Sequence, residues 1–200
     1  MKERRKTPPS GPIPAPSRAP RLTVPVVIEV RDPRTGLYSL EAIREFIRYE
    51  IDGGAQTEVN ERFVTPVCAV AIAVDALAAT PKASRDALME VTGQAIKQIT
   101  RRADRLARDG DEFVALLRRT LAKSARTHYA PNVAAAVADA TREAGTPTTL
   151  SFGIASLTEH LVRDPDDMIS KALTALQFAR KQGAGSVLVF DLREMAEAIR

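Results

Sequence analysis

The chain has 200 residues, 44% of them hydrophobic and 27% charged, with a formal net charge of +4 at pH 7, one cysteine and no tryptophan. That composition suits one globular domain plus a tail. The lone Cys68 excludes an intramolecular disulfide and a cysteine-based zinc site, and no apolar run approaches the roughly 18 residues of a membrane span.

The charge is unevenly placed. Residues 1–24 carry Lys2, Arg4, Arg5, Lys6, Arg18 and Arg21 against Glu3, a net of about +5, so the remainder is near −1. The basic balance therefore belongs to the N-terminal segment, not to a basic face, and nucleic acid is not expected as a partner. Seven of the thirteen prolines fall in residues 1–25. The reading is a disordered, basic, Pro-rich tail over 1–24 and a folded domain over 25–200. The basic start leads into proline and polar residues rather than an apolar stretch, unlike a signal peptide. A cytoplasmic location is expected, with Cys68 reduced as a small core residue.

Thr23–Val30 is β-branched and predicts a strand, which Pro25 confines to an edge or an end. A turn follows over 32–37. Ser39 is a candidate N-cap for a helix to about Ile51, with Leu40, Ile43, Phe46 and Ile47 on one face and Gly53-Gly54 as its stop. A polar loop to about Asn60 comes next. The uninterrupted apolar run Pro66–Val74 predicts a buried central strand ending at Asp75. Ser84 is read as the start of a helix to about Thr100, with Leu88, Val91, Ala95, Ile96 and Ile99 inward.

A hairpin is predicted over Arg105–Ala107 and Glu112–Leu117, closed by Asp109-Gly110 in a type I′ turn with both residues at φ > 0. Pro131 opens an Ala-rich helix to about Glu143, and Thr148–Leu157 is a strand. Asp164-Pro165 caps a helix to about Lys181, ended by Gly183. Ser186–Phe190 is a last strand, followed by a short helix. From Pro66 the order is β-α-β-β-α-β and then α-β. That is a split βαβ, ferredoxin-like or palm-like α+β core with a mostly antiparallel sheet flanked by helices.

Several segments resemble one family in the right order. They are Asp32-Pro33-x-Thr35-Gly36-Leu37, the strand ending at Asp75, Asp86 eighteen residues before Asp104, Arg101-x-x-Asp104, Arg108-Asp109-Gly110-Asp111-Glu112-Phe113, Ser151-Phe152-Gly153-Ile154-Ala155, and the Ala175–Gly183 helix end. The chain is similar to GGDEF domains, the diguanylate cyclases and their inactive relatives, over about residues 31–191. The resemblance implies a nucleotide-signalling fold, and in an active member Asp111 and Glu112 at the catalytic turn. It further implies Mg²⁺ on Asp75 and Asp111, and GTP held by Asp86 and Arg180. Bland roles compete: Asp75 ends a strand, Asp111 stabilises a turn, Asp86 caps a helix, and Arg180 is a favourable charge in a last helical turn.

The departures are specific. The hairpin carries Asp109 where the family has a glycine, Ala184 stands where it has an arginine, and the loop 76–86 is shortened and lacks its guanine-reading Asn. The degenerate pattern implies no catalysis. Arg101 and Asp104 depart least; in the family this pair binds cyclic di-GMP. Arginine offers paired donors to guanine O6 and N7, and Asp accepts from guanine N–H groups. Arg102, Arg105 and Arg108 would offset phosphate charge. The leading expectation is a non-catalytic cyclic di-GMP-binding signalling module with an unidentified protein partner. The alternatives are an active diguanylate cyclase working as a homodimer, and a ligand-free scaffold for protein contacts. His128 and His160 have no partner at catalytic spacing and read as surface or boundary residues.

Overall fold

A computed structural model describes residues 31–33, 35–57, 65–192 and 195, with the side chains of 54–57 left aside. The tail 1–24, the strand expected over Thr23–Val30 and the loop to Asn60 lie outside the described residues.

The chain runs α1 (Leu40–Thr57), β1 (Val67–Val74), α2 (Lys82–Ile99), β2 (Arg105–Asp109), β3 (Glu112–Arg118), α3 (Ala122–Ser124), α4 (Ala130–Glu143), β4 (Leu150–Ser156), α5 (Pro165–Gln182) and β5 (Val187–Val189). A 3₁₀ turn covers Leu77–Ala79, and a π turn, Ala125–Tyr129, joins α3 to α4. The fold is α+β. One mixed sheet has the order β2-β3-β1-β4-β5. β1 is antiparallel to β3 and β4, β2 and β3 form the hairpin, and β4 pairs with β5 in parallel. Among the described residues no helix is long and apolar enough to cross a membrane.

Every residue of β1 is buried, because helices cover both faces of the sheet. Alternation along β1 divides two cores. Cys68, Val70, Ile72 and Val74 face a layer that includes Leu88, Ile96, Val133 and Val137. Val67, Ala69, Ala71 and Ala73 face α1 and α5 through Ile43, Ile47, Met168 and Leu176. The second layer is the tighter. A Cβ on Gly153 of β4 would sit 2.1 Å from the Leu176 nitrogen and 2.2 Å from the Ala172 oxygen, so α5 lies almost on the strand backbone.

The caps follow the sequence. Ser39 Oγ accepts the Ala42 N–H at 3.2 Å, and Asp164 Oδ1 accepts the Asp167 N–H at 2.8 Å. The differences have local causes. α1 runs through Gly53-Gly54 to Thr57, because glycine costs a helix only about 1 kcal/mol and keeps its N–H. α2 begins at Lys82, directly after Pro81, rather than at Ser84. Ile99, at its last position, is 37% exposed rather than buried. Helical structure begins at Ala122, well before Pro131. Pro131 has no N–H to give the ladder, and the wider π turn lies immediately before it.

The hairpin turn is also shifted by one residue. Asp109 pairs with Glu112, so the central residues are Gly110 and Asp111. Gly110 has φ of +57° and Asp111 is not at positive φ. That is the sign pattern of a type II′ turn, with glycine at the first central position, instead of type I′.

Candidate functional site

The candidate residues fall at two ends of the sheet. At one end are the hairpin tip and the end of β1. Asp75 follows β1 directly, and its carboxylate is heavily engaged. Ser151 Oγ donates to Oδ1 at 2.6 Å, and Thr149 Oγ1 and the Gly185 N–H donate to Oδ2 at 2.7 and 2.9 Å. The Asp75 N–H donates in turn to the Thr149 carbonyl. A carboxylate has about four lone-pair directions, and three are taken. Asp75 ties the end of β1 to β4 and to the turn before β5.

Glu112 lies in register with Ala73 on β1 and with Asp109 on β2. Burial pushes its carboxyl above the usual range, the Arg180 charge pulls it back, and Asp109 and Asp111 push it further up. Asp111 is exposed on the turn, and Arg180 is exposed in the last turn of α5. Arg108 folds back on its own hairpin: Nε donates to the Gly110 carbonyl at 2.8 Å, and Nη2 lies 3.9 Å from Asp86 Oδ1. Its side chain is only 10% exposed. Asp86 is one turn inside α2 and so does not cap that helix. Arg85 instead stitches the preceding 3₁₀ turn to α2, through the carbonyls of Thr80 and Ala78.

These groups do not fit a resident Mg²⁺. That ion demands near-octahedral oxygen ligands at about 2.0–2.1 Å. Asp75 has one free direction, and burial disfavours the charged form of Glu112. Among the described residues no group of three or more His, Cys, Asp or Glu side chains is gathered to hold a metal.

At the other end, residues 101–104 form a turn closed by the Asp104 N–H on the Arg101 carbonyl at 2.9 Å. Asp104 is 7% exposed, and its Oδ1 accepts the Arg118 N–H at 2.9 Å. Burial raises its pKa, while that N–H and the Arg101 and Arg105 charges oppose the rise. Arg101 and Arg102 are exposed. Arg101 and Asp104 line one cavity of about 130 Å³, whose far wall includes His128, Tyr129 and Asn132. The Tyr129 hydroxyl lies 3.1 Å from Thr100 Oγ1, and burial pushes its phenol up.

The other two arginines are elsewhere. The Arg105 guanidinium donates to the carbonyls of Arg102 and Asp104 and stacks over Phe46 at 4.9 Å and Tyr38 at 5.8 Å. Arg108 is on β2 near the hairpin tip, at the opposite end of that strand from Arg105, and does not line this cavity. The sequence gives no signal for the wall residues His128, on the π turn, and Asn132, at the start of α4, because their place beside Arg101 depends on how that helical segment packs.

The family profile described as "Diguanylate cyclase, GGDEF domain" matches residues 82–186. A search of curated proteins gave no match. Among solved structures, the GGDEF domain of YfiN (TpbB) from Pseudomonas aeruginosa superposes with a TM-score of 0.68 at 20% identity, over 86% of this chain and all of that one. The GGDEF domain of DgcB from Caulobacter crescentus, in complex with c-di-GMP, gives 0.67 at 16% identity over 80% and 93%. The active GGEEF domain of a diguanylate cyclase from Vibrio cholerae gives 0.62 at 17% over 74% and 94%. At such identities the structures speak for the fold, and the profile match over more than half of the residues settles the rest: the chain belongs to the GGDEF domain family of diguanylate cyclases.

Proposed function

We propose that this domain is a non-catalytic, cytoplasmic module that binds cyclic di-GMP through Arg101 and Asp104 and passes that state to a protein partner. The observation that carries the reading is the convergence of those two side chains on one small cavity. About 130 Å³ is too small for a whole dinucleotide, since drug-sized ligands occupy about 300–1,000 Å³. It suits one guanine edge, with the remainder of the ligand lying over exposed Arg101 and Arg102. Asp104 Oδ1 accepts the Arg118 N–H, and the carboxylate lines the cavity as an acceptor for guanine N–H groups. DgcB of Caulobacter crescentus, with the same fold, was solved in complex with c-di-GMP.

The lack of catalysis is inferred from the hairpin end. Asp75 accepts from Ser151, Thr149 and Gly185, and Arg108 Nη2 lies 3.9 Å from Asp86 Oδ1. The protein partner has a precedent in the same fold: SiaD of Pseudomonas aeruginosa was solved with its activator SiaC. Calorimetry tests the reading. Cyclic di-GMP should bind the wild type, and Arg101→Ala should weaken binding at least tenfold, the worth of about 1.4 kcal/mol. Formation of cyclic di-GMP from GTP and Mg²⁺ would overturn the non-catalytic half, and absence of binding the other half.

A further inference from the structure

The turn Ser156–His160 closes on itself at the end of β4. The Ser156 N–H donates to His160 Nδ1 at 2.8 Å, and the His160 N–H donates to the Ser156 carbonyl at 3.2 Å. Ser156 is fully buried and His160 half-buried. The neighbouring Glu159 reaches across: its Oε1 accepts the Ala122 N–H at 2.9 Å. Ala122 is the first residue of α3, where a backbone N–H has no helical partner. The same helical segment continues into the π turn and α4, whose His128, Tyr129 and Asn132 wall the Arg101–Asp104 cavity.

An imidazole nitrogen accepts a hydrogen bond only while it is unprotonated. We infer that residues 156–160 are a proton-operated latch: protonating His160 breaks its bond to the Ser156 N–H, releases Glu159 from Ala122 and loosens the helical wall of the Arg101–Asp104 cavity. The regulatory half of this inference rests on the cyclic di-GMP reading of that cavity; the latch itself does not.

The groups facing His160 come from four elements. Glu159 is on its own turn, Lys171 on α5, Asp191 after β5, and Arg126 on the π turn; Arg163 and Asp167 line the same cleft. Burial is the largest influence and holds the ring below its ordinary pKa. Lys171 pushes the same way, and Glu159 and Asp191 oppose it. Phe190 packs edge-on at 5.6 Å and keeps water from one side. A depressed folded pKa means the unfolded chain takes the proton more readily. The latch is then complete above pH ~6.5, the unfolded value, and is lost as the pH falls below it. Lys171 is held by Asp167 and the Leu161 carbonyl.

Amide hydrogen exchange on the full chain, corrected for intrinsic rates, reads the latch between pH 8 and pH 5. The Ser156 and Ala122 amides should lose protection together, by tenfold or more, with one midpoint below pH ~6.5. His160→Asn places a non-titrating oxygen near the Nδ1 position and should keep both amides protected. Protection that persists to pH 5 overturns the latch. So does the same midpoint in His160→Asn, or an Ala122 amide that stays closed while Ser156 opens. Calorimetry with cyclic di-GMP at pH 7.5 and 5.5 then reads the coupling. Weaker binding at pH 5.5 in the wild type alone supports it, and pH-independent binding overturns it. Absence of binding at both pH values overturns the ligand reading and the regulatory role with it, while the amides still decide the latch.

Discussion

Replacing Asp75 separates a structural carboxylate from a metal ligand. In Asp75→Ala three donors lose their acceptor, but unequally. Thr149 and Gly185 are exposed and can turn to water at little cost. Ser151 is fully buried, and a stranded buried hydroxyl costs about 1–3 kcal/mol. The expected loss is about 2 kcal/mol for Asp75→Ala. It is about 1 kcal/mol for Asp75→Asn, which keeps one oxygen for Ser151. In a chain of this size each kcal/mol moves the melting temperature by roughly 2–4 °C, so Asp75→Ala should melt about 4–8 °C lower. A metal ligand behaves in the opposite way. Removing one carboxylate from a repelling site stabilises the metal-free protein, and Mg²⁺ at tenfold over its Kd would stabilise the wild type by about 1.4 kcal/mol. Melting curves in EDTA and in Mg²⁺ distinguish the two. Asp75→Asn melting at or above the wild type in EDTA, together with a Mg²⁺-dependent rise in the wild type, would refute the structural role.

Gly153→Ala tests the closeness of β4 and α5. The new Cβ would lie 2.1 Å from the Leu176 nitrogen and 2.2 Å from the Ala172 oxygen. These are backbone atoms, so the helix itself must shift, at about 3 kcal/mol or more. Urea unfolding measures the loss, and a change under ~0.5 kcal/mol, the scale of an ordinary surface substitution, would mean α5 stands further off. Glu112→Gln tests the hairpin end. Its folded pKa is raised, chiefly by burial, so the stability it contributes is present below the unfolded value and is lost as pH rises through the folded one. Glu112→Gln should therefore stabilise at pH 7, with the gain vanishing below pH ~4. Destabilisation at pH 7 would show that a cation holds the charge.

Local chemistry was legible in the sequence and remote chemistry was not. The run Val67–Val74 reads as a central strand because every position is apolar, and the structure buries them all. Asp164 and Gly183 bound α5 as their types predict. The role of Asp75 could not be read, because its donors lie 74, 76 and 110 residues away. The same holds for Arg108, whose folding onto Gly110 and Asp86 depends on which pair occupies the turn. Reading Asp109-Gly110 instead of Gly110-Asp111 at its centre misplaces Arg108. The Ser156–His160 turn looks like an unremarkable loop until Ala122 is brought beside it. His160 alone offers only a ring of undetermined protonation.

The two ends of the sheet can change independently, and distance is the reason. β3 runs from Glu112 beside the hairpin tip to Arg118, whose N–H meets Asp104. Seven residues of strand span about 20 Å at roughly 3.3 Å each. Substitutions separated by more than about 7–10 Å without shared partners add rather than interact. A change at Asp75, which accepts from two hydroxyls and one backbone N–H, should therefore leave Arg101 and Asp104 undisturbed. Those hydrogen bonds tie the end of β1 to β4 and to the turn before β5. The proposed nucleotide site, Arg101 and Asp104, lies at the far end of the sheet from Asp75. If that account holds, Asp75→Asn and Arg101→Ala will be additive in stability, and Asp75→Asn will leave cyclic di-GMP affinity within about twofold, ~0.4 kcal/mol.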